Sequence, residues 1–144
     1  MIRRYKNTDV DKIAIALTQT YREEPWNEAW SVELARIRME ELMSGPMSIG
    51  FVFEEDNEIL GVMVGRRNTY LNGPEYFVDE FFVVPSSQKK GIGSKLISHA
   101  REELSKEGFV DIVLNTEKGY PSERFYKKNG FVQKDSLIFM YLNF

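Results

Sequence analysis

The chain of 144 residues contains no cysteine, which removes disulfides, thiol nucleophiles and cysteine-ligated zinc together. It has a single histidine, His99, so neither a Ser-His-Asp triad nor a multi-histidine metal site can be assembled. His99 reads as a mid-helix surface or packing residue. The acidic clusters Asp9-Val10-Asp11 and Glu54-Glu55-Asp56 lack metal-loop spacing and read as a helix start and a turn, so no metal is expected. There is no basic excess either: the formal charge of -3 argues against a general nucleic-acid binder. No apolar run approaches membrane-spanning length, and the charged start Met1 to Asn7 is not followed by the apolar segment of a secretory signal. A cytoplasmic protein without membrane or nucleic-acid partners is the simplest expectation. Aromatic residues, by contrast, are plentiful. Ten Phe, seven Tyr and 42% hydrophobic residues suffice for a sizeable core in one domain spanning residues 1–144.

The most informative string is Phe81-Phe82-Val83-Val84-Pro85-Ser86-Ser87-Gln88-Lys89-Lys90-Gly91-Ile92-Gly93-Ser94-Lys95-Leu96. An apolar run stops at a proline, passes through a basic, glycine-bearing turn and becomes a helix. Glycines 91 and 93 remove the β-carbons that would hold a ligand away from the backbone, so several N–H groups can converge on one phosphate. The positive end of the helix dipole reinforces them. Ile92, Leu96, Ala100 and Leu104 recur every fourth residue, giving that helix one apolar stripe. Two nucleotide-binding alternatives fail on spacing. No Gly-x4-Gly-Lys-Ser/Thr string exists, and the third glycine of G-x-G-x-x-G is replaced by Leu96.

Gln88-Lys89-Lys90-Gly91-Ile92-Gly93 fits Gln/Arg-x-x-Gly-x-Gly/Ala after a strand ending in Val-x-Pro, and on these residues the chain resembles the GNAT N-acetyltransferase superfamily. A second segment, Ser122-Glu123-Arg124-Phe125-Tyr126-Lys127-Lys128-Asn129-Gly130-Phe131, resembles the family's C-terminal signature, a short helix carrying a Tyr and ending at Gly-Phe. Pro121 suits the first helical turn, and Asn129-Gly130 is a C-terminal stop. Two motifs in the right order are far more specific than either alone. The resemblance implies acetyl-CoA as co-substrate, bound by Gln88, Lys89, Lys90, Gly91, Ile92, Gly93 and Ser94, with the backbone of Val83 and Val84 holding the pantetheine arm and the thioester carbonyl. One departure stands out: where the family often has a pantetheine-contacting Asn seven residues before its Tyr, this chain has Gly119, and Asn115 or Ser122 would have to replace it.

Along the chain, Ile2 to Tyr5 reads as a strand, and Thr8 or Asp9 caps a helix through Ile13, Ala16, Leu17 and Thr20 that ends by Pro25. Ser31 caps a second helix, Val32 to Met43, with Leu34, Ile37, Leu42 and Met39 facing inward. Phe51 to Phe53 and Ile59 to Val64 form a hairpin across Glu55-Asp56-Asn57. Then come strand Tyr76 to Val84, the motif helix to Glu107, strand Phe109 to Leu114, the Tyr126 helix, and final strands Phe131 to Gln133 and Ile138 to Leu142. The order β-α-α-β-β-β-α-β-α-β-β is that of the GNAT fold. The resemblance implies a mixed α/β architecture with a mostly antiparallel sheet of about seven strands, splayed between the fourth and fifth, and about four flanking helices.

Acyl transfer to an amine passes through a tetrahedral oxyanion and needs a backbone N–H near the carbonyl, a route for the amine proton and a proton for the departing thiolate. Tyr126 aligns with the family's thiolate-protonating tyrosine; its other reading is a packing residue beside Phe125. Asp79 and Glu80 are carboxylates in a mainly apolar strand, costly to bury without a task. Strand alternation sends them to opposite faces. Glu80 is the favoured base, directly or through water, with Asp79 behind it and a structural ion pair as the competing reading. Glu24, Trp26, Asn27 and Trp30, in the loop between the first two helices, lie where the family builds its acceptor pocket and can receive a cationic amine, although either tryptophan could simply cap the core. The expected activity is acetyl transfer by direct attack of a small-molecule amine, aminoglycoside- or polyamine-like. A protein N-terminus or lysine is the enzymatic alternative, and a CoA-binding regulatory or interaction module the non-enzymatic one. A homodimer is the one protein partnership the resemblance raises.

Overall fold

The computed structural model describes residues 1–144. Its elements are β1 (Ile2–Arg4), α1 (Val10–Tyr21), α2 (Val32–Ser44), β2 (Ser48–Glu55), β3 (Glu58–Tyr70), β4 (Gly73–Val83), α3 (Ile92–Lys106), β5 (Asp111–Val113) and α4 (Pro121–Lys128). The five strands form one sheet in the order β1-β2-β3-β4-β5. The first three pairings are antiparallel, and β4 and β5 run parallel. This is the mixed α/β architecture expected from the sequence. Asp56 and Asn57, at φ 50 and 64, make the tight turn between β2 and β3, where left-handed backbone matches the twist of the flanking strands.

Each face of the sheet is covered by its own helices. Val52, Val62, Val64, Phe82 and Val84 pack with the buried stripes of α1 and α2. On the other face Phe51, Met63, Tyr76 and Val78 pack with Ile92, Leu96, Ile97, Ala100 and Leu104 of α3, the stripe that the four-residue periodicity identifies. α1 buries Ile13, Ala16, Leu17 and Thr20 as expected. α2 meets the expectation in part: Met39 is buried and Leu42 packs on the core as expected, but Ala35 and Met43 are the other buried positions, whereas Leu34 and Ile37 are exposed. The small Ala35 lets α2 approach α1 closely, and the i, i+4, i+8 spacing of Ala35, Met39 and Met43 then fixes the phase.

Two irregularities in β4 decide which way its side chains point and where its edge is left open. The first is a slip in its register on β3 between Val64 and Gly65, so that Val64 faces Glu80 while Gly65 faces Val78. Asp79 is therefore the extra residue of a β-bulge. The bulge reverses the alternation: Tyr76 and Val78 belong to the α3 core, but Phe82 and Val84 belong to the α1/α2 core. The second irregularity is the splay. β5 pairs with β4 only from Glu75 to Phe77, leaving the Phe81–Val83 end without a neighbour on that side, as the expected gap between fourth and fifth strands requires.

The last two expected strands, Phe131 to Gln133 and Ile138 to Leu142, are not strands. Beyond Phe131 the backbone makes a turn bond from Leu137 N–H to the Lys134 carbonyl (3.2 Å) and no ladder, and the side chains of Leu137 to Leu142 are exposed. The sheet accordingly has five strands rather than about seven. An apolar, β-prone run becomes a strand only when a neighbouring edge pairs with it, and the three-residue β5 offers little edge.

Candidate active site

The chain leaves β4 at Val83, makes a short 3-10 turn over Pro85–Ser87 and enters α3. Gln88 ties the turn back to the strand: its side-chain N–H donates to the Val83 carbonyl at 2.9 Å. Lys89 and Gly91 both hold left-handed backbone, at φ 63 and 82. No side chain caps α3, and the backbone N–H groups from Lys89 to Ser94 donate to no protein acceptor. Such a run of unpaired donors at a helix N-terminus suits a phosphate. The two glycines serve different ends. A β-carbon on Gly91 would meet nothing within 4 Å, so the open space and the positive φ set that position; one on Gly93 would lie 2.8 Å from the Phe125 ring. Gly93 thus lets α4 pack against the loop helix.

In the splay beyond the loop lies a cleft of about 700 Å³, open to solvent, with Val83, Gly91, Gly93, Ser94 and Tyr126 among its walls. Val84 cannot contribute a free N–H there, because it donates to the Leu60 carbonyl at 2.9 Å. Val83, one residue out of phase, turns its N–H toward the open side. That gives the cleft one strand amide near the loop, where a thioester carbonyl can be polarised.

Tyr126 projects from α4 into the same cleft. Its ring sits 5.9 Å from Phe81, 5.5 Å from Phe125 and 5.3 Å from Phe131, and Phe81 stacks on Phe125 at 5.7 Å. Packing and presentation of the hydroxyl are therefore combined in one residue. The Tyr126 pKa is pushed up, first by burial and second by the negative charge of Glu80, which keeps the phenol protonated and able to donate.

Glu80 projects from β4 toward α2, where Arg38 donates to its Oε1 from Nε (3.3 Å) and Nη2 (3.0 Å). Its Oε2 is buried with no hydrogen-bond partner. Burial raises the Glu80 pKa and Arg38 opposes the rise. Asp79 pairs with Arg66 at 3.2 Å, and its pKa is also raised by burial against the pull of Arg66 and Arg38. Neither carboxylate forms part of the cleft wall. Tyr21, at the end of α1, lines the cleft. Its pKa is raised by burial first and by the Glu80 charge next, and its ring meets Phe82 at 5.7 Å and Trp26 at 5.4 Å.

The loop between α1 and α2 divides. Glu24 and Trp26 reach the cleft, and Trp26 also meets Tyr120, at the N-terminus of α4, at 5.0 Å. Asn27 and Trp30 do not reach it: Asn27 sits in a turn at φ 49, and Trp30 packs on the α1/α2 core with its indole N–H donating to Glu28 at 3.0 Å. On the cofactor side Ser122 lines the cleft, sharing a 2.7 Å hydrogen bond with Thr116, whereas Lys90 and Asn115 stay off the wall. His99 packs its ring edge on Phe51 at 5.4 Å. The residues that sequence reasoning missed are Tyr21, Arg38 and Tyr120. For Tyr21 a signal existed, since it extends the Ile13-Leu17 spacing by one more turn.

The fold, the loop with unpaired amides and the splayed cleft define an acetyltransferase, and the model of the Acetyltransferase (GNAT) family matches residues 13–131. The chain belongs to that family. It is 26% identical over 145 residues to the uncharacterized N-acetyltransferase YhfO of Bacillus subtilis (strain 168), covering 99% of this chain and 96% of that protein. Among solved structures, a possible acetyltransferase from Clostridium difficile 630 superposes with a TM-score of 0.83 at 17% identity, covering 100% of this chain and 97% of the other. The aminoglycoside acetyltransferase AAC(6')-Iy, in complex with the bisubstrate analog CoA-S-monomethyl-acetylneamine, superposes with a TM-score of 0.75 at 20% identity, covering 99% and 97%.

Proposed function

We propose that this acetyltransferase moves an acetyl group from acetyl-CoA to a primary amine of a small, cationic molecule, by direct attack and without a covalent enzyme intermediate. The observation that carries the reading is the single cleft that runs from the unpaired amides at the start of α3, past the Tyr126 hydroxyl, to the Tyr21 and Trp26 wall. The amides of Lys89 to Ser94 hold the pyrophosphate, aided by the Lys89 and Lys90 charges. Val83 N–H faces the carbonyl on which negative charge develops. Glu80 takes the proton that the amine loses, and Tyr126 protonates the departing thiolate. Glu24 and the aromatic ring of Trp26 suit a cationic acceptor. The bisubstrate complex of AAC(6')-Iy supports an aminoglycoside- or polyamine-like molecule as the first acceptors to try. The reaction belongs in the cytoplasm.

The test is thiol release from acetyl-CoA across a panel of polyamines, aminoglycosides, simple amines and N-terminal peptides; a chain without cysteine gives no background with a thiol-reactive dye. Release that depends on a small amine supports the reading, and release with peptides alone would move the acceptor to a protein. Silence with acetyl-CoA binding intact would point to a CoA-binding module instead.

A further inference from the structure

Glu80 presents a puzzle as the base of this reaction: its side chain is only 12% exposed, its free oxygen is buried, and it lies behind the cleft wall rather than on it. We propose that Tyr21 is the relay between the cleft and Glu80, its phenol oxygen receiving a proton from the acceptor amine while its own proton passes to Glu80 Oε2. The inference rests on the reading of Glu80 as the base.

Three observations converge on it. Tyr21 and Tyr126 both line the cleft and both lie close enough to Glu80 for its charge to act on their hydroxyls; with Tyr126 assigned to the thiolate, Tyr21 is the one left to serve the carboxylate, although it closes no hydrogen bond to it in this structure. Arg38 directs both of its hydrogen bonds with Glu80 to Oε1, where a forked guanidinium commonly engages both oxygens of a carboxylate. Oε2 is thereby left as an acceptor with nothing to accept, in surroundings where an unmade hydrogen bond is costly. The ring of Tyr21 is also held from two sides, by Phe82 and by Trp26, so its hydroxyl is fixed by packing alone.

The step balances without an added reactant. As the amine nitrogen bonds to the thioester carbon it sheds one proton to the Tyr21 oxygen; Tyr21 releases its hydroxyl proton to Glu80 Oε2. Tyr21 ends as it began, neutral, and Glu80 ends as a carboxylic acid that returns its proton to water. Tyr21 never carries a full negative charge, which its burial would oppose. The groups that face this pair are Tyr126 of α4, Glu28 of the α1–α2 loop and Arg38 of α2. A like charge at Glu28 favours protonation of Glu80, Arg38 disfavours it, and the balance leaves a carboxylate that can accept and release one proton per turnover.

Tyr21→Phe keeps the ring, its contacts with Phe82 and Trp26 and hence the packing, and removes only the hydroxyl. It is to be measured with Glu80→Gln and with the double variant, using the best amine from the acceptor panel. The expected result is a kcat lower by roughly two orders of magnitude in each single variant, with little further loss in the double variant, because residues acting in one relay are not additive. The KM for acetyl-CoA should stay at the wild-type value, and the acid limb of the kcat/KM profile should be lost in both single variants. A Tyr21→Phe enzyme with wild-type kcat and acid limb, beside an impaired Glu80→Gln, overturns the relay and leaves Glu80 as the base. Losses that multiply in the double variant also overturn it, since the two groups would then act separately. A fully active Glu80→Gln enzyme removes the base itself, and the relay with it. Should Tyr21→Phe unfold, as its circular dichroism would reveal, Tyr21→Trp serves as the second ring-retaining variant, with the same readouts and the same overturning outcomes.

Discussion

The two ends of the cleft are built on different principles. The cofactor end is made of main chain: consecutive amides from Lys89 to Ser94, a left-handed glycine and the start of a helix, all within one stretch of sequence. The end we assign to the acceptor is made of side chains from distant places: Tyr21 of α1 and Glu24 and Trp26 of a loop form its wall, with Glu80 of β4, Arg38 of α2 and Tyr120 before α4 packed behind it. A backbone site depends on local conformation, so its geometry is set by where glycine and proline stand. A side-chain site depends on how helices rotate and where strands slip, and one residue of slippage changes its membership. The first kind of site can serve many enzymes that share a cofactor, while the second can be varied with the acceptor.

Substitutions at each end sharpen this contrast. The largest effect is expected at the junction of the two. Tyr126→Phe should lower kcat by about 10² to 10⁴-fold with acetyl-CoA affinity, measured by calorimetry, unchanged; weakened binding in place of slowed turnover would make Tyr126 a packing residue. Next, Gly91→Val forces a β-branched side chain into left-handed backbone at a cost of about 1–2 kcal/mol. It should raise the KM for acetyl-CoA by roughly tenfold while the KM for the amine holds, and equal changes in both would show that the ends are not separable. Trp26→Ala should do the reverse, raising the amine KM by up to about tenfold through loss of one aromatic contact. The smallest expected effect is a displacement along the pH axis. Arg38 holds the Glu80 pKa down against burial; with the carboxylate as the proposed base, Arg38→Met should move the acid limb of kcat/KM to higher pH. In the wild type that limb should itself lie above the ordinary carboxylate range, because burial outweighs Arg38.

The same division explains what could be read from the chain. The loop, its helix, the Tyr126 segment and the element order as far as α4 follow from local signals: glycine positions, four-residue stripes and caps such as Ser31, whose hydroxyl accepts from Leu34 N–H at 3.0 Å. The phase of α2 was legible in part: Met39 and Leu42 face inward as expected, but Leu34 and Ile37 extend the stripe as well on paper as Ala35 and Met43 do; the fit against α1 decides. Arg38 was hidden for the same reason, since a charged residue on a helix flank reads as solvated until the phase is known. Trp30 and Asn27 share a loop with Trp26 but turn away from the cleft, and loop composition carries no direction. The final strands failed because pairing needs an edge, a property of the neighbour rather than of Leu137 to Leu142.

The bulge at Asp79 also has a bearing on how this strand is matched to others. As far as the sheet is concerned, Asp79 is an insertion of one residue: removing it would restore the ladder and leave Val78 and Phe82 on the faces they already occupy. When β4 is aligned with the corresponding strand of a relative that lacks the bulge, the gap belongs at position 79, and the acid to be compared is Glu80. An alignment that slides the gap by one position, onto Glu80, would set Asp79 in its place and leave Glu80 as the unmatched residue.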